Sequence, residues 1–315
     1  MKVLVTGGAG FIGSSLVNAL VNQGDQVMVL DDLSTGNPDN LERSPAELRT
    51  GDIRDPHDVG EAVRGAEVVY HLAALPSVAR SVADPIRSHE VNASGTLGVL
   101  VAARDAGARR VVYASSSSVY GDTPTLPKHE AMPPAPQSPY AAAKLAGESY
   151  CRAFARTYGL ETVALRFFNV FGPRQDPRSE YAAVIPRFIT RMMAGERPMI
   201  FGDGHQSRDF TFVGNVVRAC IDAAVADRAS GEVMNVGFGG RTSLLDLVAM
   251  INDILNSGLE PEFGPPRPGD VRHSEASIDR ARELIDYRPA VGLEEGLRET
   301  ATWFAALPGL ERSGV

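Results

Sequence analysis

The chain has 315 residues, of which 43% are hydrophobic and 22% charged, with a net charge of −8 and a pI near 5.3. This length suffices for one large domain or two of ordinary size. The acidic balance argues against nucleic acid or an anionic membrane as the main partner. An anionic ligand would therefore need a local cluster of arginines.

Other function classes are also disfavoured by composition. Cys151 and Cys220 form neither a disulfide framework nor a zinc pattern, and they indicate reduced, buried thiols in a cytoplasmic protein. The chain starts with a strand pattern instead of a signal peptide, and no apolar run approaches the ~20 residues that span a bilayer. The histidines lack any ligand spacing, so we expect no metal.

Strand and helix patterns alternate through the first half. Apolar, β-branched runs predict buried parallel strands, at 2–7, 26–32, 68–74, 110–117 and 161–169. Helical patterns lie between them, at 12–22, 57–64, 90–106 and 139–158. This alternation predicts an α/β fold, a doubly wound parallel sheet of the Rossmann type over 1–171.

The second half, 172–315, has more loops, prolines and arginines. Amphipathic helices are predicted at 184–195 and 244–255, with short strands in "PMIFG", "RDFTFV" and "EVMNVG". We interpret it as a smaller, discontinuous α+β lobe that binds substrate. Elements from about 208–240 are expected to return to the first domain.

The first turn, "VTGGAGFIGSS", carries Gly7, Gly10 and Gly13 between a strand and a helix. Glycines let backbone N–H groups approach a pyrophosphate at the positive end of a helix. A strand before and a helix after are the context that this motif requires. The turn, with Phe11 and Ile12, therefore predicts a dinucleotide site.

Acidic residues end the next two strands. Asp31 and Asp32 can accept hydrogen bonds from the adenosine ribose and repel a 2′-phosphate, and no arginine is adjacent, which favours NAD over NADP. Asp52, at the end of a third strand, is expected to meet the adenine edge together with Ile53.

"QSPYAAAKL" begins a helix, with Ser138 as N-cap. Tyr140 and Lys144 are four residues apart and share a helix face. The ammonium is expected to lower the pKa of the tyrosine toward the range of a general base. Four serines in "ASSSSVYG" end the preceding strand, at the sheet edge where α/β proteins bind ligands.

Six motifs in order resemble the extended short-chain dehydrogenase/reductase family, and within it the nucleotide-sugar epimerases and dehydratases: "TGGAGFIG", "HLAA", "SSSSVYG", "SPYAAAK", "RFFNVFGPRQ" and "RDFTFV". The resemblance makes Tyr140 the catalytic base, Lys144 its ribose-binding partner and Ser116 the hydroxyl that holds the substrate oxygen. It also implies bound NAD. Further cofactor contacts are implied for Leu72, Ala73, Ala74, Asn92 and Phe168.

The same resemblance suggests the reaction. Dehydratases and decarboxylases of the family carry an acid after the serine, where this chain has Ser117 and Ser118. This favours a UDP-hexose 4-epimerase, in which a hydride leaves carbon 4 for NAD and returns to the opposite face. Alternatives are a UDP-glucuronate 4-epimerase, a dehydratase or reductase, and a non-catalytic NAD-binding sensor.

The family's substrate contacts map onto several positions. Arg208 and Arg267 match diphosphate-binding arginines, Asp270 a ribose contact, and 181–188 the segment against uracil and sugar. Ser274 is small where a bulky residue would exclude N-acetylated sugars. The other implied substrate contacts are Ser116, Ser117, Asn169 and Val184.

Some features are interpreted as structural. Arg174 and Arg187 are interpreted as solvated surface arginines, and His71 as a positional residue at a strand end. A homodimer is expected through the helices that follow Asn92 and Tyr140, because family members commonly dimerise there.

Overall fold

The computed structural model describes residues 1–177, 183–266 and 271–307. The strands are β1 (Lys2–Thr6), β2 (Gln26–Asp31), β3 (Glu47–Thr50), β4 (Val68–His71), β5 (Arg110–Ser116), β6 (Glu161–Phe167), β7 (Val170–Phe171), β8 (Met199–Phe201), β9 (Ser207–Arg208), β10 (Thr211–Phe212), β11 (Glu232–Val236), β12 (Thr242–Ser243) and β13 (Glu262–Gly264).

The helices are α1 (Phe11–Asn22), α2 (Pro56–Ala62), α3 (Val78–Ala83), α4 (Pro85–His89), α5 (Thr96–Asp105), α6 (Pro139–Tyr158), α7 (Val184–Met193), α8 (Val213–Val225), α9 (Leu244–Leu255), α10 (Asp279–Ile285) and α11 (Leu293–Ala305). A π-helical segment, Glu90–Gly95, leads into α5, and a short 3₁₀ turn, Ser117–Tyr120, follows β5.

Seven strands form one parallel sheet in the order β11-β6-β5-β4-β1-β2-β3. The five strands predicted in the first half all belong to it, so the doubly wound α/β prediction is confirmed. β3 extends one edge and β11, from the second half, forms the other.

Alternate residues of the central strands enter two hydrophobic cores on the two faces of the sheet. Val3 and Val5 pack into one cluster, whereas Leu4 packs into the other. This follows from the two-residue side-chain period of a strand, and it explains why these strands are apolar throughout.

The second half of the chain adds elements to the parallel sheet and its helices, and it builds most of a second part of the molecule. β11 pairs with β6, and α8 packs against α1 and β5. Three small two-stranded pairings, β10–β7, β12–β9 and β13–β8, build the remainder together with α7, α9 and α11. A division of the chain near residue 171 stays a prediction. No helix within the described ranges is long and apolar enough to cross a membrane.

Candidate active site

The turn between β1 and α1 brings the predicted glycines together. Gly7 has a φ of +72°, which favours glycine. A Cβ on Gly13 would lie 2.0 Å from the Gly7 carbonyl oxygen, so a larger residue cannot fit there. Gly10 is the N-cap of α1, and Phe11 and Ile12 are its first residues. The positive end of α1 thus lies at the carboxyl end of β1, as a pyrophosphate site requires.

The two carboxylates at the end of β2 face different ways. Asp31 is buried, and it accepts hydrogen bonds from the N–H groups of Ala9 and Leu33, both at 2.9 Å. Asp32 is exposed and accepts from Ser34. Burial raises the pKa of Asp31, and the two N–H groups oppose that rise. Asp31 is therefore the carboxylate placed against the glycine turn.

Asp52 lies just beyond β3 and is engaged by a cation. Its carboxylate accepts from the backbone N–H of Arg54 at 2.9 Å and from Nε at 3.0 Å, and it forms an ion pair with Nη2. This pairing lowers the pKa of Asp52. Ile53 is buried. The adenine contact assigned to these two residues stays a prediction.

The segment after β4 packs directly on the glycine turn. A Cβ on Gly7 would lie 2.6 Å from the Ala73 nitrogen, which leaves no room for a side chain. The Ala73 N–H donates to the Thr6 hydroxyl at 3.2 Å. Leu72 and Ala74 flank this contact. The predicted "HLAA" cofactor residues are therefore adjacent to the glycine turn.

His71 and Asn92 hold the segment after β4 in place through hydrogen bonds. The ring nitrogens of His71 lie 2.7 Å from the Thr6 hydroxyl and 2.9 Å from the Thr96 hydroxyl. Burial lowers the pKa of His71 to about 3, so the ring is neutral. The Asn92 amide accepts from the Leu75 N–H at 2.9 Å and donates to the Leu75 carbonyl at 3.1 Å. This geometry suits a positional role for His71.

Helix α6 carries the predicted base. Its start is set by Ser138, whose hydroxyl caps the first turn, and by Pro139. Tyr140 and Lys144 then lie one turn apart on the face toward β5. Lys144 is 2% exposed, and its Nζ donates to the Ala114 carbonyl at 2.9 Å and lies 5.9 Å from the Tyr140 ring centre.

Ser116 completes this group at the end of β5. Its hydroxyl accepts from the Ser118 N–H at 3.2 Å, and a hydrogen bond joins it to Tyr140. Ser117 begins the 3₁₀ turn that follows. The fold thus brings Tyr140, Lys144 and Ser116 together at the carboxyl edge of the sheet.

The expected effect of Lys144 on Tyr140 is wrong. Burial is the largest influence on Tyr140 and raises its pKa, while the hydrogen bond with Ser116 lowers it. Lys144 directs its ammonium at the Ala114 carbonyl, and burial lowers the pKa of Lys144 itself to about 8. Desolvation therefore outweighs the neighbouring charge at this site.

Phe168 and Asn169 follow β6. The Phe168 side chain is fully buried, with its ring centre 6.3 Å from that of Tyr120. A cofactor contact by Phe168 would thus have to come from its backbone. Asn169 has a φ of +30°, and its amide donates to the Asp209 carbonyl at 3.1 Å.

A pocket of about 270 Å³ opens beside Asn169, between α7 and the small strand pairs. Asn169, Val184 and Arg208, three of the predicted substrate residues, all line it. Arg187 and Arg191 line it as well, so the interpretation of Arg187 as a solvated surface residue is wrong. The spacing of 184, 187 and 191 on one helix face was a signal for this.

Arg208 is held by backbone carbonyls. Its Nη1 donates to Ser207 at 3.0 Å and to Arg272 at 3.1 Å. The Ser274 N–H donates to the same Ser207 carbonyl at 3.0 Å, which places Ser274 near Arg208. Arg267 and Asp270 lie outside the described residues.

Asp209 is an anchor that the sequence analysis missed. It is fully buried and accepts from the N–H groups of Phe238 at 2.7 Å, Gly239 at 3.0 Å and Ala276 at 3.1 Å. These bonds tie three segments together next to Arg208. A carboxylate between apolar strand residues in "RDFTFV" was the available signal, because a buried charge needs partners.

Arg174 also departs from its interpretation. It is partly buried, and burial lowers its pKa, so it is not a solvated surface arginine.

Within the described part of the chain, no group of three His, Cys, Asp or Glu side chains is placed to hold a metal ion.

Comparison with known proteins matches this site and fold. The profile of the NAD dependent epimerase/dehydratase family matches residues 3–237. The UDP-glucose 4-epimerase of Mycolicibacterium smegmatis is 44% identical over 310 residues, which covers 96% of this chain and 98% of that protein.

Solved structures agree over the same length. UDP-N-acetylglucosamine 4-epimerase from Methanobrevibacter ruminantium M1, in complex with UDP-N-acetylmuramic acid, has a TM-score of 0.92 and 42% identity, with coverage of 96% of this chain and 97% of that one. UDP-glucose 4-epimerase from Thermotoga maritima, with UDP-glucose, has a TM-score of 0.92 and 40% identity, covering 96% and 98%. Sequence and backbone both match over nearly the whole chain, which belongs to the NAD dependent epimerase/dehydratase family.

Proposed function

We propose that this protein is an NAD-dependent UDP-hexose 4-epimerase that interconverts UDP-glucose and UDP-galactose, their N-acetyl forms, or both. The observation that carries the proposal is the grouping of Tyr140, Lys144 and Ser116 at one sheet edge, with no carboxylate immediately after Ser116. Relatives and neighbours of the same length that are named 4-epimerases support it.

The glycine turn fits NAD. The backbone around Gly7 and Gly13 is too close for side chains, which is the cradle that a pyrophosphate uses at the N-terminus of α1. Asp31 lies against this turn and would repel a 2′-phosphate. When bound, NAD supplies the acceptor and donor of a hydride for carbon 4 of the sugar.

The residues of the site transfer the proton of the sugar 4-hydroxyl and hold its oxygen. Tyr140 takes the proton of the 4-hydroxyl as its phenolate and later returns it. Burial raises the pKa of Tyr140 and the Ser116 hydrogen bond lowers it, so the phenolate depends on Ser116. The Ser116 hydroxyl also holds the sugar oxygen in line with Tyr140.

The residues after Ser116 argue against dehydration. Loss of water from the sugar needs a group that protonates the departing hydroxyl. Ser117 and Ser118 stand at these positions in the 3₁₀ turn, and neither is an acid. Epimerisation requires no such group, which supports the epimerase over the dehydratase alternative.

The arginine-lined pocket would take the nucleotide diphosphate. Guanidinium groups bind phosphate bidentately, and three arginines, Arg187, Arg191 and Arg208, line one pocket. Arg267 and Asp270 are proposed to join them. The small Ser274 near Arg208 favours acceptance of N-acetylated sugars, in line with the name of the Methanobrevibacter enzyme.

The test is to incubate the purified protein with UDP-glucose, UDP-N-acetylglucosamine and UDP-glucuronate separately, with Y140F as the matched control. We expect a 4-epimer mixture without net NADH from at least one of the first two sugars. Y140F should lose a factor of roughly 10²–10⁴ in kcat while keeping bound NAD. A 4-keto-6-deoxy product, turnover of UDP-glucuronate alone, or no turnover would refute the proposal.

We also propose a cytoplasmic homodimer. Ile86 and Val82, on α4 and α3 beside the tyrosine helix, are 72% and 64% exposed, and Tyr150 of α6 is 37% exposed. A second copy packing on α5 and α6 would cover apolar surface of this kind. Both cysteines are buried thiols, which suits a reducing compartment. Sedimentation velocity tests the dimer, and a monomer at micromolar concentration would contradict it.

A further inference from the structure

A buried ion pair lies one helical turn beyond Lys144. Glu148 of α6 and Arg166 of β6 are 4% and 3% exposed. Arg166 donates to the Glu148 carboxylate through Nε at 2.8 Å and Nη2 at 2.7 Å. The Ser115 hydroxyl donates to the same carboxylate at 2.5 Å. The carboxylate thus joins α6 to two adjacent strands.

The position of this pair is informative, because a buried ion pair gives little net stability. The desolvation of two charges offsets most of their attraction, and apolar residues of similar size usually stabilise a core as well. Ser115 and Arg166 are register partners in the sheet, and Ser116 follows directly. The pair therefore fixes α6 against the strand end that carries Ser116.

The contact continues across the sheet. The Arg166 guanidinium lies 4.6 Å from the centre of the Tyr120 ring. The Tyr120 hydroxyl donates to the Asn235 side chain on β11 at 2.7 Å. The pair is thus braced by a third strand, and its geometry is set by long-range packing.

The charge of Glu148 also acts on Lys144. Burial lowers the pKa of Lys144, and the Glu148 carboxylate is among the groups that oppose this. The titratable groups around Lys144 are Tyr140, Glu148 and Cys151 on its own helix, His71 on β4, Tyr113 on β5 and Arg166 on β6. Glu148 is the carboxylate in this set.

We propose that Glu148 is a positioning residue: with Arg166 it aligns the Tyr140–Lys144 helix with Ser116, and it places a negative charge one helical turn from Lys144. The proposal rests on the proposed function for its catalytic meaning. Glu148 would thus act on the reaction through Lys144 and Tyr140, and not by contact with the sugar.

Removal of the Glu148 charge should change the pKa values of neighbouring groups in one direction. E148Q deletes one negative charge and so leaves the positive charge of Arg166 uncompensated, which favours loss of a proton nearby. The pKa values of Tyr140 and Lys144 should therefore both fall. With an effective dielectric constant of ~20, a unit charge one helical turn away (~6 Å, Lys144) moves a pKa by about two units, and one two turns away (~12 Å, Tyr140) by about one. Both limbs of the pH–kcat profile should move to lower pH.

The matched control is E161Q. Glu161 pairs with the buried Arg110 at 2.8 Å, also between β5 and β6 but at their opposite ends. E161Q removes an ion pair between the same two strands, one whose carboxylate is 38% exposed, without changing the charge near Lys144. E148Q/R166Q removes both charges of the first pair, so its pH profile should shift less than that of E148Q, while its kcat should fall because α6 loses its link to β6.

The experiment uses two measurements on the full chain with its NAD. The pH dependence of kcat is compared with a titration of the phenolate absorbance, where the difference from the matching Y140F variant isolates Tyr140. We expect an acid shift of about one pH unit in both for E148Q, none for E161Q, and a smaller shift for E148Q/R166Q.

Two results would overturn the proposal: an unshifted E148Q, or an E161Q that shifts as far. If E148Q cannot be purified, R166Q takes its place, and its uncompensated carboxylate should move the phenolate titration to higher pH; no movement refutes the proposal. If no UDP-sugar turns over, the proposed function falls, but the absorbance titration still decides the role of Glu148.

Discussion

Lys144 is a buried ammonium, and burial disfavours its positive charge. Its side chain is 2% exposed, and burial lowers its pKa from 10.5 to about 8. In the unfolded chain the same ammonium titrates near its ordinary value. The replacement K144M keeps a side chain of similar length and removes the charge, so the two proteins isolate this effect.

The sign follows from proton binding. Between pH 8 and 10.5 the unfolded chain still holds the Lys144 proton, whereas the folded protein has lost it. The free energy of unfolding of the wild type therefore rises with pH in this window, relative to K144M, by ~1.4 kcal/mol per pH unit. Over the whole window the rise amounts to ~3 kcal/mol. Below pH 8 the difference should be flat.

The assay is urea unfolding of both proteins after removal of NAD, at pH values on both sides of 8. All other titrating groups are shared, so their contributions cancel in the difference. A difference that is flat or falls as the pH rises above 8 would show that Lys144 is not the buried ammonium described above. K144M should also lose epimerase activity, since Lys144 is one of the three residues grouped at the proposed site.

Three further substitutions test other parts of the site. G13A should abolish NAD binding in a calorimetric titration, because its Cβ would lie 2.0 Å from the Gly7 carbonyl oxygen; normal binding would contradict the assigned turn. D209N replaces one acceptor of the buried carboxylate with a donor that faces N–H groups, and should lower the free energy of unfolding by about 2–4 kcal/mol in urea. S274Y should reduce kcat/KM for N-acetylated UDP-sugars at least ~10-fold more than for UDP-glucose, as expected when a side chain fills part of a pocket; equal effects on both would show that Ser274 does not border the sugar.

Local patterns were sufficient for the elements of the sheet. The prediction of a strand at 110–117 corresponds to β5, Arg110–Ser116, because a strand covered on both faces must be apolar throughout. The helix predicted at 139–158 is α6, Pro139–Tyr158. Its start is marked by Ser138, and its end by Gly159 at a φ of +70°. Such signals are local, so a single sequence reveals them.

The arrangement around the site depended on contacts between distant segments. The sequence could not tell which of Asp31 and Asp32 turns toward the glycine turn, because that depends on how β2 packs beside β1. It likewise placed Arg187 at the surface, although α7 carries this residue into the pocket wall.

The sequence by itself determined which groups are present and which share a turn or a helix face: the three glycines, and Tyr140 four residues before Lys144. Only the tertiary structure decided their chemical state. Burial sets the directions of the pKa changes at Tyr140 and Lys144, and Glu148 meets Arg166 only where α6 packs on β6. Desolvation and long-range pairing depend on which segments pack together, and the spacing of residues along a chain does not record that.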